Sequence, residues 1–356
     1  MIQEPEPKIV NIKVAKKPKL TTKQKRQVSS NRDKRLSKPQ LTPEDNQLGE
    51  QQAGKVTGRF GKHADVEDAQ GIIHRCHMRR TINSVVCGDN VLFRPGKDQS
   101  LSISGLIELV QDRQSVLTRP DFYDGVKPVA ANIDQIIIVS SVIPALSLNI
   151  IDRYLVAAED VEINPVILLN KVELLSPKER EQVELELQIY RDIGYKLVYT
   201  SCKTQTGLSE LSECLKDKTS VFVGQSGVGK SSIINELLPD SVDETTNNVS
   251  DNSGLGQHTT TTAKLLHFPQ GGDLIDSPGV REFALWHLPP ERLTLGFIEF
   301  RDYLGGCKFR DCKHADDPGC LIKQAVEQGN ISQQRYQSYH KILSNMDELR
   351  PAHIKI

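Results

Sequence analysis

The 356-residue sequence predicts a multidomain protein in which a small β-barrel, an α/β sheet covered on both faces and a helical metal-binding region follow one another. Three observations carry the prediction. Short strand-like segments separated by Gly, Asp and Asn turns fill the stretch from Lys55 to Pro120. Nearly continuous apolar runs alternate with helix-compatible stretches from Asn132 onward, and three Cys with one His fall within fourteen residues near the C-terminus.

Composition sets the outer limits. With 37% hydrophobic and 26% charged residues the chain is ordinary globular protein. No run approaches the roughly 18–20 apolar residues of a membrane span, and MIQEPEPKIV lacks the basic-then-apolar pattern of a secretory signal. A soluble, cytoplasmic monomer without membrane association is expected. Seven cysteines, an odd number and mostly scattered, argue against a disulfide scaffold.

The first element is an arm with its linker, residues 1–53. Between Lys8 and Lys38 stand twelve Lys or Arg and one acid, Asp33, a net +11; the rest holds 33 basic and 45 acidic residues, so the formal net charge of −1 conceals a basic arm tied to an acidic body. Few large apolar residues and no aromatics predict disorder in the free state. A solvated tail is one reading; a polyanion-binding arm is the other, because dense cations attract phosphate backbones by counterion release.

Residues 54–120 come next, with KVTGRFG, GIIHRCHM, SVVCGDNVLFR and SISGLIELV as strands. A five-stranded oligonucleotide-binding (OB) type β-barrel fits the length, as other small barrels do. The only aromatics are Phe60 and Phe93, so nucleic-acid contacts there would lean on His63, His74, Arg75, His77, Arg79 and Arg80. A merely solvated barrel face is the competing reading.

The α/β part, residues 121–287, carries the chemistry. Its expected strands are QIIIVSSV, PVILLN, YKLVYTS, SVFVG and GDLID. Gly224, Gln225, Ser226, Gly227, Val228, Gly229, Lys230 and Ser231, followed by Ser232, lie between the strand SVFV and the helix-like SSIINELL. That is a phosphate-binding loop in spacing and context. Its glycines let backbone N–H groups curl round phosphates, Lys230 reaches the phosphate oxygens and Ser231 ligates Mg²⁺. Asn170, Lys171, Val172 and Glu173 follow PVILL, and Ser201 and Cys202 follow KLVYT. In guanine-nucleotide proteins an Asn-Lys-x-Asp tetrad sets a carboxylate against N1–H and the exocyclic amine, a donor pair that adenine does not present. Glu173 replaces that Asp, keeping both acceptors but moving them outward by about one bond. Asp276 closes GDLI as the acid that holds Mg²⁺ through water, with Gly279 as γ-phosphate sensor. Within His258–Thr262, Thr260 is the chosen second Mg²⁺ hydroxyl over its neighbours, and His258 is the nearby group able to position water. Val280 stands where Ras-like enzymes place the water-orienting Gln, so unaided hydrolysis should be slow, on the order of 10⁻⁴ s⁻¹.

The last part, residues 288–356, turns helical and ends on ISQQRYQSYHKILSNMDEL. Cys307, Cys312, His314 and Cys320 offer three thiolates and an imidazole, a set that suits one structural, tetrahedral Zn²⁺ per chain. His340 and His353 are expected at the surface rather than as ligands.

The order of these motifs resembles the circularly permuted GTPases, specifically the ribosome small-subunit-dependent RsgA/YjeQ family. In this chain NKVE at 170 and SCK at 201 precede the phosphate loop at 224; GQHTTT, DSPGVREF and the cysteine cluster extend the likeness over nearly everything beyond the arm. The resemblance implies an OB-type barrel, a circularly permuted P-loop GTPase domain and a C-terminal zinc-binding helical domain. It further implies GTP hydrolysis on the small ribosomal subunit and its rRNA in late maturation, with GTP, Mg²⁺ and Zn²⁺ as cofactors. Glu173 and the long arm depart from the pattern. An ATPase or kinase built on the same loop, and an RNA chaperone whose nucleotide site only regulates affinity, are the rival functions.

Overall fold

The computed structural model describes residues 48–82, 84–97, 105–121, 125–238, 263–276 and 288–349. The arm's basic cluster lies outside them.

Five strands close a barrel: β1 (Gln52–Phe60), β2 (His63–Glu67), β3 (Ile73–Met78), β4 (Asn90–Pro95) and β5 (Gly105–Val110), ordered β1-β2-β3-β5-β4 with β4 returning to β1. All pairs are antiparallel except β3 with β5, the arrangement expected of an OB-type barrel. Its interior is made by alternation: Val56, Ala64, Val66, Cys76, Val91, Phe93 and Ile107 are fully buried. Gly54 is required there, since a Cβ would stand 2.6 Å from Val66 Cγ1 and 2.7 Å from Phe93 Cε1. Two strand assignments change. HADVE, too polar to read as a strand, forms β2. SVVCGDNVLFR is not one strand, because Val86 N–H bonds to Asp89 Oδ2 and bends the chain ahead of β4. Asp89 is in turn gripped by Arg113 through Nε at 2.6 Å and Nη2 at 2.8 Å.

The six basic side chains named for nucleic-acid contact separate. His74 is buried, with Nε2 2.8 Å from Asp68, and Phe93 belongs to the core, so neither is available. Arg79 is engaged by Glu108 and Arg75 by Asp65. The Arg75 guanidinium also lies over the half-exposed Phe60 ring, and His63 meets His77 edge-on. Arg80 is exposed.

A hairpin not expected from sequence, β6 (Val116–Asp121) and β7 (Gly125–Ala131), straddles residue 120 and leads into the α/β part. There β8 (Gln135–Ser141), β9 (Asn164–Asn170), β10 (Lys196–Thr200), β11 (Thr219–Val223), β12 (Lys264–His267) and β13 (Asp273–Asp276) run β10-β9-β8-β11-β13-β12. The first five in that order are parallel; β12 is antiparallel to β13 and touches β1 at Gly58 and Lys264. Period-two alternation divides the apolar residues between two cores. Ile136, Ile138, Ile167, Leu169, Val221 and Val223 pack under α1 (Leu148–Asp160) and α2 (Pro177–Ile193). Ile137, Val139, Val166, Leu168 and Phe222 pack under α3 (Leu208–Leu215) and α4 (Lys230–Leu237). At about 1.5–3 kcal/mol per fully buried aliphatic side chain, this two-sided burial is the main force that flattens the chain into three layers. Local signals set the helix ends: α2 starts on a Ser176–Glu179 capping box and stops at Gly194, φ 110°.

The C-terminal elements are α5 (Pro290–Leu295), a 3₁₀ turn (Ile298–Tyr303), α6 (Leu321–Glu327) and α7 (Gln333–Leu349). Their core of Phe297, Phe300, Tyr339 and Ile342 also takes in Val156 and Ala157 of α1. A fully buried Arg335 joins the parts, donating to Asp152 of α1 at 2.6 Å and to Glu299 at 2.7 and 3.0 Å.

Candidate nucleotide site and metal centre

Strands β8, β9 and β10 step outward in one direction, and the chain then returns to lay β11 on the other side of β8. The order reverses between β8 and β11, and in such sheets the carboxyl ends of the strands at that point are the usual ligand position. Every described motif residue of the α/β part lies at these ends.

The phosphate loop leaves β11 through three glycines at positive φ: Gly224 at 142°, Gly227 at 80° and Gly229 at 97°. Space enforces the choice at two of them, since a Cβ would lie 2.1 Å from Val139 O at Gly224 and 2.3 Å from Asn170 Nδ2 at Gly229. Gly229 caps α4 with no side-chain hydrogen bond, so no capping side chain competes for the first N–H groups of that helix, beside the exposed Ser231 and Ser232. Lys230 folds back over the loop, its Nζ donating to Gly224 O at 2.7 Å and Gln225 O at 2.5 Å.

The residues expected to recognise the base are held against the loop from the neighbouring strands. Buried Asn170 donates from Nδ2 to Val228 O at 3.0 Å and accepts from Thr200 Oγ1 at 3.2 Å. Lys171, at φ 64°, sends Nζ to Gly227 O and Ile143 O, each at 2.6 Å. One dipeptide therefore ties β9, β10 and the phosphate loop together. Val172 is buried in the first core, and Glu173 follows it in a 3₁₀ turn (Val172–Leu174) with Oε2 buried and unpartnered. A buried carboxylate oxygen without a donor is costly, and the N1–H and amine edge of guanine would satisfy it. Ser201 is fully buried and holds the next turn through Thr204 N. Cys202 is half-buried; burial first, then the Glu236 and Glu173 carboxylates, raise its thiol pKa, so it stays a neutral thiol. Gln205, absent from the sequence reading, bridges Cys202 O and Glu236. Asp276 sits at the end of β13, whereas His258, Thr260, Gly279 and Val280 lie outside the described residues. A cavity of about 570 Å³ opens elsewhere, at the amino end of β9, and is lined by the Arg292–Asp160 and Arg301–Glu159 ion pairs rather than by any motif.

The second centre is in the C-terminal part. The ligand atoms of Cys307, Cys312, His314 and Cys320 all lie within 4.8 Å of one another. His314 Nδ1 stands 3.7 Å from Cys307 Sγ and 3.6 Å from Cys320 Sγ. Zinc bonds of about 2.3 Å to sulfur and about 2.0 Å to nitrogen give a tetrahedral edge of about 3.6 Å, so the donor set fits that ion. Burial first, then hydrogen bonds with Cys320 and Cys307, push the Cys312 thiol up to about 12, a preference that a divalent cation would reverse. His314 adopts φ 57° and is steadied through its carbonyl, which accepts from Tyr336 OH at 2.7 Å and lies 2.9 Å from His340 Nε2. His340, expected at the surface rather than as a ligand, is half-buried and supports the backbone of a candidate ligand. Protein prepared without chelator should contain one zinc per chain. Stripping it, or substituting Cys312→Ser, should expose the C-terminal part to protease; unchanged resistance in both would remove the structural role.

The chain matches the RsgA GTPase family over residues 110–286. Across 85% of its length it is similar to the crystal structure of YjeQ from Thermotoga maritima, with 37% identity, a TM-score of 0.69 and 100% of that chain covered. Across the same share it is similar to YloQ, a circularly permuted GTPase, with 29% identity, a TM-score of 0.66 and 98% of that chain covered.

Proposed function

Because the chain belongs to the RsgA GTPase family, we propose that it binds GTP, hydrolyses it to GDP and phosphate on the small ribosomal subunit, and thereby times its own release from maturing rRNA. The observation that carries this reading is the unpartnered Glu173 oxygen beside a loop clamped by Asn170 and Lys171. Oxygen acceptors there favour guanine over adenine, and the loop amides with Lys230 favour a polyphosphate. Mg²⁺, held by Ser231 and Thr260 and through water by Asp276, would neutralise phosphate charge. Zn²⁺ on Cys307, Cys312, His314 and Cys320 would stiffen the C-terminal part. Lys230 leaves its two carbonyl partners for the β- and γ-phosphate oxygens, and Gly279 senses the γ-phosphate. With Val280 unable to orient water, the chain alone is a poor catalyst and its partner completes the site, with His258 as the chain's own contribution. The barrel and the basic arm supply RNA contacts, and the protein works as a cytoplasmic monomer.

Single-turnover hydrolysis tests this with the full chain alone, with small subunits and with large subunits. The free rate should be on the order of 10⁻⁴ s⁻¹, and small subunits alone should raise it at least ~10²-fold, below the ~10³–10⁵ that a supplied arginine finger gives. Equal rates in all three conditions would refute the timer. Subunit binding that follows the nucleotide without turnover would favour the RNA chaperone, and ATP displacing labelled GDP as well as GTP does would refute the base assignment.

A further inference from the structure

Between the barrel and the nucleotide-binding sheet lies a cluster that neither site uses. His267, at the end of β12, places Nδ1 2.7 Å from Asp273 Oδ1 on β13 and Nε2 2.7 Å from Glu67 Oε2 on barrel strand β2. Asp273 receives a second cation from the barrel, Lys55 Nζ of β1 at 2.7 Å. These are the charged groups facing the ring from each element packed round it: Lys55 from β1, Glu67 from β2 and Asp273 from β13. The backbone repeats the connection, since Lys264 pairs with Gly58.

The chemistry of the ring decides its state. Both nitrogens face carboxylate oxygens, which only accept. A neutral imidazole has one N–H to give and would turn a lone pair toward the other carboxylate; only the imidazolium donates to both. We infer that His267 is held as an imidazolium and acts as a proton-dependent clasp fastening the barrel to the β12–β13 hairpin. Its position gives the clasp a consequence. β12 begins two residues after Thr262 and β13 ends on Asp276, so the fastened hairpin is the stretch of chain between the two motifs assigned to the γ-phosphate and its metal.

The sign of the pH effect follows. Burial alone would lower the pKa of the ring, but its hydrogen bonds to Asp273 and Glu67 outweigh this and hold it above the ordinary 6.5. A raised value means that the fastening is fully present below about 6.5 and is lost as pH rises through the raised value. Each unit of elevation corresponds to a tenfold difference in the opening equilibrium between the protonated and neutral forms.

Nitrogen-15 NMR of the full chain, with the His267 signal assigned by its disappearance in His267→Gln, reads the ring directly. At pH 6.5 the doubly protonated ring should predominate, and Glu67→Gln should lower its pKa. Amide exchange over Lys264–His267, corrected for intrinsic rate, should quicken as pH rises through the ring's pKa in the wild type and stay flat in His267→Gln, whose one nitrogen cannot take both ring-nitrogen positions. A ring mostly neutral at pH 6.5, a pKa unmoved by Glu67→Gln, or parallel exchange profiles in the two proteins would each overturn the clasp. These readouts need no nucleotide, so they stand or fall apart from the GTPase reading.

Discussion

Arg335→Ala is expected to remove about 3–5 kcal/mol of stability, the range for breaking a buried ion pair from one side. The side chain has no exposed surface, and its guanidinium lies 4.4 Å from the Phe297 ring centroid. It neutralises Asp152 and Glu299, while Tyr190 OH donates to Asp152 Oδ1 at 2.7 Å. Without the cation, two carboxylates stay in a dry core that already leaves Asp152 Oδ2 without a partner. Tyr190 stays a neutral donor to Asp152 and cannot replace the lost positive charge: burial, then Asp152, raises its pKa well above the usual phenol value. Arg335→Met, which keeps volume but not charge, should cost nearly as much. The triple change Arg335→Met, Asp152→Leu, Glu299→Leu should recover most of the loss, because the stranded charges go as well. Urea unfolding of the full chain, followed by near-ultraviolet circular dichroism, measures all three. A loss under ~1 kcal/mol for Arg335→Ala would mean that the cluster is solvated or rearranges freely.

Lys230→Ala should weaken GTP and GDP binding by about 30- to 5,000-fold, corresponding to the roughly 2–5 kcal/mol typical of truncating one partner of a hydrogen-bonded charge pair. The loop should keep its shape. Two of its three glycines, Gly224 and Gly229, sit where no Cβ fits, and Asn170 and Lys171 hold it independently of Lys230. Titration with a fluorescent GDP analogue, alongside a thermal melt, separates lost contacts from lost fold. Unchanged affinity would place the phosphates elsewhere.

What could be read from the sequence was local. The phosphate loop, NKVE and the cysteine cluster are contiguous or nearly so, and their side chains meet because neighbouring strands end together or a short turn closes. The doubly covered strands were legible because β8, β9 and β11 are apolar at consecutive positions. β2 was missed because HADVE has few β-branched or aromatic residues, and its place is won by pairing with β1 and β3. β12 was missed because KLLH, unlike the equally short DLID, leads into no motif that marks the end of a strand. Arg335 with Asp152, and His267 with Glu67, are 183 and 200 residues apart, so no window on the sequence joins them. His340 looked like a surface residue because its task is to support the carbonyl of another histidine, a contact that leaves no spacing signature.

The strand order also fixes a sequence of events on the ribosome that synthesises this chain. β8, β9 and β10 emerge first and form one half of a sheet whose future centre, β11, begins at Thr219, after three helices have been made. At about 5–20 residues per second, the Ile- and Val-rich edge of β8 is left without its partner for on the order of 10 s. An unpaired, flat, apolar edge is the kind that recruits strands from other chains. Helices α1 and α2 can cover one face of β8 in that interval, but its backbone donors and acceptors remain open until β11 arrives. The nascent chain therefore completes the Asn170–Leu174 turn before the Gly224–Ser231 loop, and the loop arrives with the strand that closes the exposed edge.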